Sequence, residues 1–125
     1  MKYVIAGDPS YFTVSRSSQK DIFNNQKYRK VVTEITIASQ HDERPMYDGK
    51  IHVDFTFYLR SPKSKRYGDL EGAYDPKIPD LLKLVKFIED VATGILYKNS
   101  CIICSVSAKK RYSRKPRTEF EVKIL

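Results

Sequence analysis

Nothing in this sequence points to a membrane or to export. It has no apolar run of about 18 residues, the length a helix needs to cross a bilayer. The opening residues, MKYVIAG, lack the apolar core of a signal peptide. Two cysteines are too few for a disulfide scaffold and suit a reducing compartment. There is no internal repeat, no long disordered tail and no glycine-rich phosphate loop. His41 and His52 stand apart from any serine and acid arrangement that would suggest a catalytic triad.

What is present is basic. Lys and Arg number 23 against 15 Asp and Glu, a formal charge of +8. That balance favours a polyanionic partner, nucleic acid before a membrane surface. The 125 residues suffice for one domain with a single core, expected to span residues 1–125.

Tyr3-Val4-Ile5, ended by Gly7-Asp8-Pro9, reads as a first strand and turn. Residues 10–25, with Arg16 and Lys20, read as loop, and Asn24 or Asn25 can cap a helix. From Gln26 to Ser39, Tyr28, Val31, Val32, Ile35 and Ala38 recur at helical spacing. Ile51, Val53, Phe55, Phe57 and Leu59 alternate with His52, Asp54, Thr56 and Tyr58, the period of a strand with one buried face. A long loop over residues 60–79 carries Arg60, Lys63, Lys65 and Arg66, then Asp69, Glu71 and Asp75. Loops of such length in compact domains tend to be functional.

Pro79-Asp80 opens a second helix, with Asp80 as N-cap. Leu81, Leu84, Val85, Ile88, Val91, Ala92 and Ile95 form its apolar stripe. Lys83, Lys86 and Asp90 lie opposite, with Lys86 and Asp90 spaced as a surface ion pair. Gly94 permits a break. A strand is expected over Cys101–Val106 and a last one through Phe120, Val122 and Ile124. Between them Lys109–Arg117 holds six basic residues in nine, with Tyr112 among them. It reads as a hairpin-like basic loop suited to phosphate contact and base stacking. Cys101 and Cys104 have the spacing of a metal or redox pair, but no second pair exists for zinc. Residues three apart in a strand also face opposite ways, so both are expected as buried apolar cysteines. The element order gives an α+β fold, a small mixed β-sheet with two helices packed on it.

The stretch Lys77–Ile103 (KIPDLLKLVKFIEDVATGILYKNSCII) then resembles a known family. Pro79 and Asp80 open it, Leu84 and Lys86 follow, Asp90 sits inside the helix, and Gly94 and Tyr97 make the turn. Pro116-Arg117-Thr118-Glu119 with the strand to Ile124, and Ile5-Ala6-Gly7-Asp8-Pro9 at the start, also match. This pattern is similar to the RusA family of Holliday-junction resolvases, and is close over residues 77–124. The resemblance implies a RusA-like fold and a homodimer acting on branched DNA in recombination and repair, in the cytoplasm or wherever intracellular DNA is handled. It implies catalytic roles for Asp80, Lys86 and Asp90, and Mg2+ held by Asp80 and Asn99 if the protein is active. Lys83, Lys109, Lys110, Arg111, Arg114, Lys115 and Arg117 would then contact DNA.

The departures bear on the chemistry. The family's second Asp is Leu82 here, the Asn after it is Lys83, and the paired Asp after the turn is Asn99-Ser100. Magnesium needs hard oxygen ligands close together. Either acids from elsewhere (Asp54, Asp69, Glu71 or Asp75) fill in, or the chain keeps the fold without cleavage, as a DNA-binding or protein-binding regulator or inhibitor.

Overall fold

A computed structural model describes residues 2–11, 26–41, 45–61, 70–77 and 79–125. The elements that periodicity predicts each have a physical cause. Strand β2 (Ile51–Arg60) follows its alternation, with Ile51, Val53, Phe55, Phe57 and Leu59 buried and the residues between them half-buried. Helix α1 (Gln26–His41) buries Val31 and Ile35. Helix α2 (Leu81–Ala92) begins after Asp80, whose carboxylate accepts the amides of Leu82 and Lys83. It buries Leu84, Val85, Phe87, Ile88, Val91 and Ala92. Phe87 widens the stripe beyond the positions expected from spacing. Gly94 then turns the chain at φ 90°, a left-handed conformation that suits glycine.

With β1 (Lys2–Ala6), β3 (Ile103–Ser113) and β4 (Arg117–Ile124), the strands form one sheet in the order β1-β4-β2-β3. β4 is antiparallel to both β1 and β2, and β3 is parallel to β2. The mixed sheet and two helices are the α+β architecture expected. One face packs against the helices, around Phe55, Phe57, Phe120 and Tyr3. The other face presents His52, Asp54, Thr56 and Tyr58 of β2, with Ser105, Ser107 and Lys109 of β3 and Glu119 and Glu121 of β4 beside them.

Two expectations need correction. Lys109–Arg117 is not a hairpin loop: Lys109–Ser113 belong to β3, and β3 and β4 lie on opposite sides of β2. The cause is α2. As the crossover from β2, it returns the chain to lay β3 parallel to β2, and β2, with the most regular buried face, takes neighbours on both edges. Only Arg114–Pro116 remain as a link across the end of β2. The cysteines are not buried: Cys101 lies in a 3-10 turn (Ser100–Ile102), Cys104 near the start of β3, and both are exposed. Asn24, Asn25, Arg16, Lys20, Lys63, Lys65, Arg66, Asp69 and the side chain of Tyr28 lie outside the described residues.

Candidate nucleic-acid interface

The motif residues gather around α2, at two separate ends. At the N-terminal end, Asp80 Oδ1 accepts the Leu82 amide at 2.9 Å and the Lys83 amide at 3.3 Å. Those bonds satisfy donors that a helix start leaves open. Leu82 is 76% exposed, so it contributes neither a ligand nor core packing. Lys83 is exposed and sits 5.3 Å from the centre of the Tyr11 ring. One turn on, Lys86 pairs with Asp90 at 3.3 Å and Glu89 at 3.8 Å. Asp90 first and Glu89 second raise the Lys86 pKa, so the ammonium stays charged.

At the C-terminal end the Tyr97 hydroxyl donates to Glu89 O at 2.9 Å, and Thr93 Oγ1 donates to the same carbonyl at 3.0 Å. Asn99 Oδ1 accepts the Cys101 amide at 2.9 Å and so caps the 3-10 turn. Asp80 precedes a helix of 12 residues, roughly 18 Å at about 1.5 Å per residue, and Asn99 follows the turn that closes its far end.

The basic run divides in two. Lys110 reaches back to the lead-in of α2, donating to Lys77 O and, at 2.8 Å, to Pro79 O. Arg111 donates to Gly72 O at 2.8 Å and stacks over Tyr74, 4.5 Å from the ring centre. Arg117 lies 3.8 Å above the Tyr58 ring, donates to Lys115 O and pairs with Glu119. These three cations hold the fold together. Lys109 is half-buried on the sheet face opposite the helices, while Arg114 and Lys115 are exposed on the link across β2. Lys83 and Lys86 are exposed cations of the motif.

The pattern of the family described as endodeoxyribonuclease RusA matches residues 11–123. The chain belongs to that family. The RusA match covers both helices, β2, β3 and nearly all of β4. A curated relative, an uncharacterized protein YqaN of Bacillus subtilis (strain 168), is 24% identical over 137 aligned residues, spanning 98% of this chain and 95% of its own. Among the described residues no helix is long and apolar enough to cross a membrane.

The metal that the RusA resemblance implies can be set against the donors present. Both oxygen donors in register, on Asp80 and Asn99, already accept backbone amides at opposite ends of α2. Of the substitute acids, Asp54 accepts Ser107 Oγ at 2.7 Å. Glu71 accepts Ser113 Oγ at 3.0 Å and the Arg114 amide at 2.8 Å. Asp75, buried, accepts the Lys77 amide and bonds Tyr112, whose phenol is pushed up by burial first and by that carboxylate second. Asp69 lies outside the described residues. Among those described, no group of three or more His, Cys, Asp or Glu is placed to hold an ion. Within one protomer, the described donors do not fit a magnesium site.

Two features were beyond sequence reasoning. His52 is not isolated: its Nδ1 lies 2.9 Å from Ser105 Oγ, and its Nε2 lies 3.5 Å from Ser107 Oγ, which donates to Asp54. The acid holds the serine rather than the histidine, so this is a polar ladder across β2 and β3, not a triad. Cross-strand register produced it, and no local pattern announces register. Glu119 is the second. Burial works to raise its pKa, but Lys2 at 3.0 Å, Arg117 and Tyr58 outweigh it and hold the carboxyl below its usual range.

Proposed function

We propose that this protein binds branched DNA of the Holliday-junction kind, as a homodimer serving recombination and repair wherever intracellular DNA is handled. The observation that carries the reading is the RusA family match over residues 11–123 on a chain of charge +8. Phosphate contact is sequence-independent and electrostatic, which suits cations spread over a surface. Lys83, Lys109, Arg114 and Lys115 are the contact residues in this proposal.

A second reading concerns cleavage. A divergent endonuclease needs converging oxygen anions, and Asp80 and Asn99 are both engaged as caps. That observation favours a relative that holds junctions without cutting them, as a regulator or inhibitor that can also take a protein partner.

A synthetic four-way junction tests both readings, with a linear duplex of the same sequence and a magnesium series. The expected result is tighter binding to the junction with no nicking at any magnesium concentration. Nicking would restore the endonuclease reading and remove the inactive one. Equal affinity for the two DNAs would remove junction recognition, and no binding at low salt would leave a protein partner. Replacing Lys109→Glu and Lys115→Glu should weaken binding and lower the slope of log affinity against log salt by about one per lysine.

A further inference from the structure

The two edges of the sheet are finished differently. At β1 the helix side chains cover the last residue: the Ala6 amide donates to Glu34 Oε2 at 3.2 Å, and Lys30 Nζ donates to Ala6 O at 2.9 Å. Lys2, 3.0 Å from Glu119, places a charge at the other end of that strand. At β3 a strap, residues 72–75, lies antiparallel along the C-terminal half. The Gly72 amide donates to Tyr112 O at 2.9 Å, the Tyr112 amide to Ala73 O at 2.8 Å, and the Asp75 amide to Lys110 O at 3.1 Å.

Backbone groups alternate in direction along a strand. Since Lys110 and Tyr112 face the strap, Val106 and Ala108 face the same way. Among the described residues nothing meets their amides and carbonyls there. Ile103–Ala108 carries neither charge nor proline. The register irregularity on the β2 side, between Ile51 and His52, leaves the run from Ser105 onward regular. Val106 is 49% exposed. Native edges of this kind are normally blunted by a charge, a proline or a cover.

We propose that this open half of β3 pairs with the same segment of a second copy, antiparallel about a two-fold axis at Val106, joining two four-stranded sheets into one. The proposal rests on the homodimer put forward above and gives it a surface. Three observations select a second copy over a foreign strand. The strap shows that this edge accepts an antiparallel extended segment. An antiparallel pair is self-complementary, as a two-fold interface must be. An acidic peptide drawn to a chain of charge +8 would find no cation on Ile103–Ala108, whereas two neutral runs meet without repulsion. In this register the two Val106 residues form a hydrogen-bonded pair with Cα atoms about 5.5 Å apart.

Cysteine trapping tests the register. In a Cys101→Ser, Cys104→Ser background, Val106→Cys should form a disulfide-linked dimer on mild oxidation, because that separation suits a disulfide. Val4→Cys is the control, on the other edge strand and similarly exposed at 54%. In the otherwise native chain, Val106→Lys should lower the mass in solution from two chains to one without changing the circular dichroism. A monomeric native protein, a dimer indifferent to Val106→Lys, or equal trapping at Val4→Cys would each overturn the proposal. Junction binding is read separately on the same samples. A monomeric native protein that still binds junctions removes the edge interface and leaves the DNA reading. A trapped Val106→Cys dimer that ignores junctions supports the edge interface and removes the DNA reading.

Discussion

The N-terminal end of α2 is anchored by polar groups at the surface, and the C-terminal end by a buried ring. At the first, Asp80 caps the helix and Lys110 grips the carbonyls of Lys77 and Pro79 ahead of it. At the second, Tyr97 is 2% exposed and closes the turn through its bond to Glu89 O. The N-terminal end carries Asp80, the family's opening acid, among exposed residues. There one oxygen of Asp80 accepts two backbone amides, and its neighbours are Leu82 and Lys83. The contrast separates residues that hold the fold from residues free to act on a ligand. It predicts that stability should respond most at the C-terminal end of the helix.

Tyr97 carries the largest expected effect. Tyr97→Ala removes a buried ring and should destabilise by on the order of 3–5 kcal/mol in denaturant unfolding. Tyr97→Phe keeps the ring and loses the bond to Glu89 O, so about 1 kcal/mol is expected. The same pair probes pH. Burial first, then the Glu89 charge, pushes the Tyr97 phenol well above the ordinary tyrosine range. A raised acid contributes stability that is whole below the unfolded tyrosine pKa and is lost as pH climbs past it. Unfolding at alkaline pH should therefore become easier in the native protein, and Tyr97→Phe should flatten that slope. An unchanged slope would show that another group carries it.

Lys110 comes next. It belongs to the run that reads as a basic loop in the sequence, yet its ammonium bonds two carbonyls at the start of α2. Lys110→Met keeps the aliphatic stem and leaves those carbonyls without their charged donor. About 1.5–3 kcal/mol should be lost, by analogy with hydrogen bonds to charged groups. A loss of junction affinity with full stability would place Lys110 on the DNA instead and undo the division of the run.

Local patterns carried much of this fold. The alternation of Ile51–Leu59 and the Pro79-Asp80 start of α2 each depend on neighbours a few residues away, and both were legible. What depends on distant partners was not. Lys109–Ser113 is a strand because β2 lies on one side and residues 72–75 on the other, although its residues are mostly charged. Cys104 is exposed because its strand became an edge, which overrides the burial usual for cysteine. Lys110, Arg111 and Arg117 read as interface cations in the sequence, and their carbonyl, tyrosine and glutamate partners could not be read there. The family motif was legible as spacing, but spacing along the chain does not say that Asp80 and Asn99 sit at opposite ends of a helix.

Asp80 gives the smallest stability effect and the clearest division between cap and ligand. As a cap, its carboxylate needs only one oxygen, and asparagine supplies that oxygen as well as aspartate does. Asp80→Asn should therefore change unfolding free energy by a few tenths of a kcal/mol, while Asp80→Ala, which removes the acceptor from the Leu82 and Lys83 amides, should cost about 1 kcal/mol. A metal ligand would rank the variants differently. Losing the negative charge would matter as much as losing the side chain, and thermal unfolding in magnesium would shift less for both variants than for the native chain. Parallel melts of the three proteins, with and without magnesium, compare the two rankings directly. If Asp80→Asn tracks the native protein in both conditions, Asp80 is a cap, and any cleavage by this chain must draw its carboxylates from other residues.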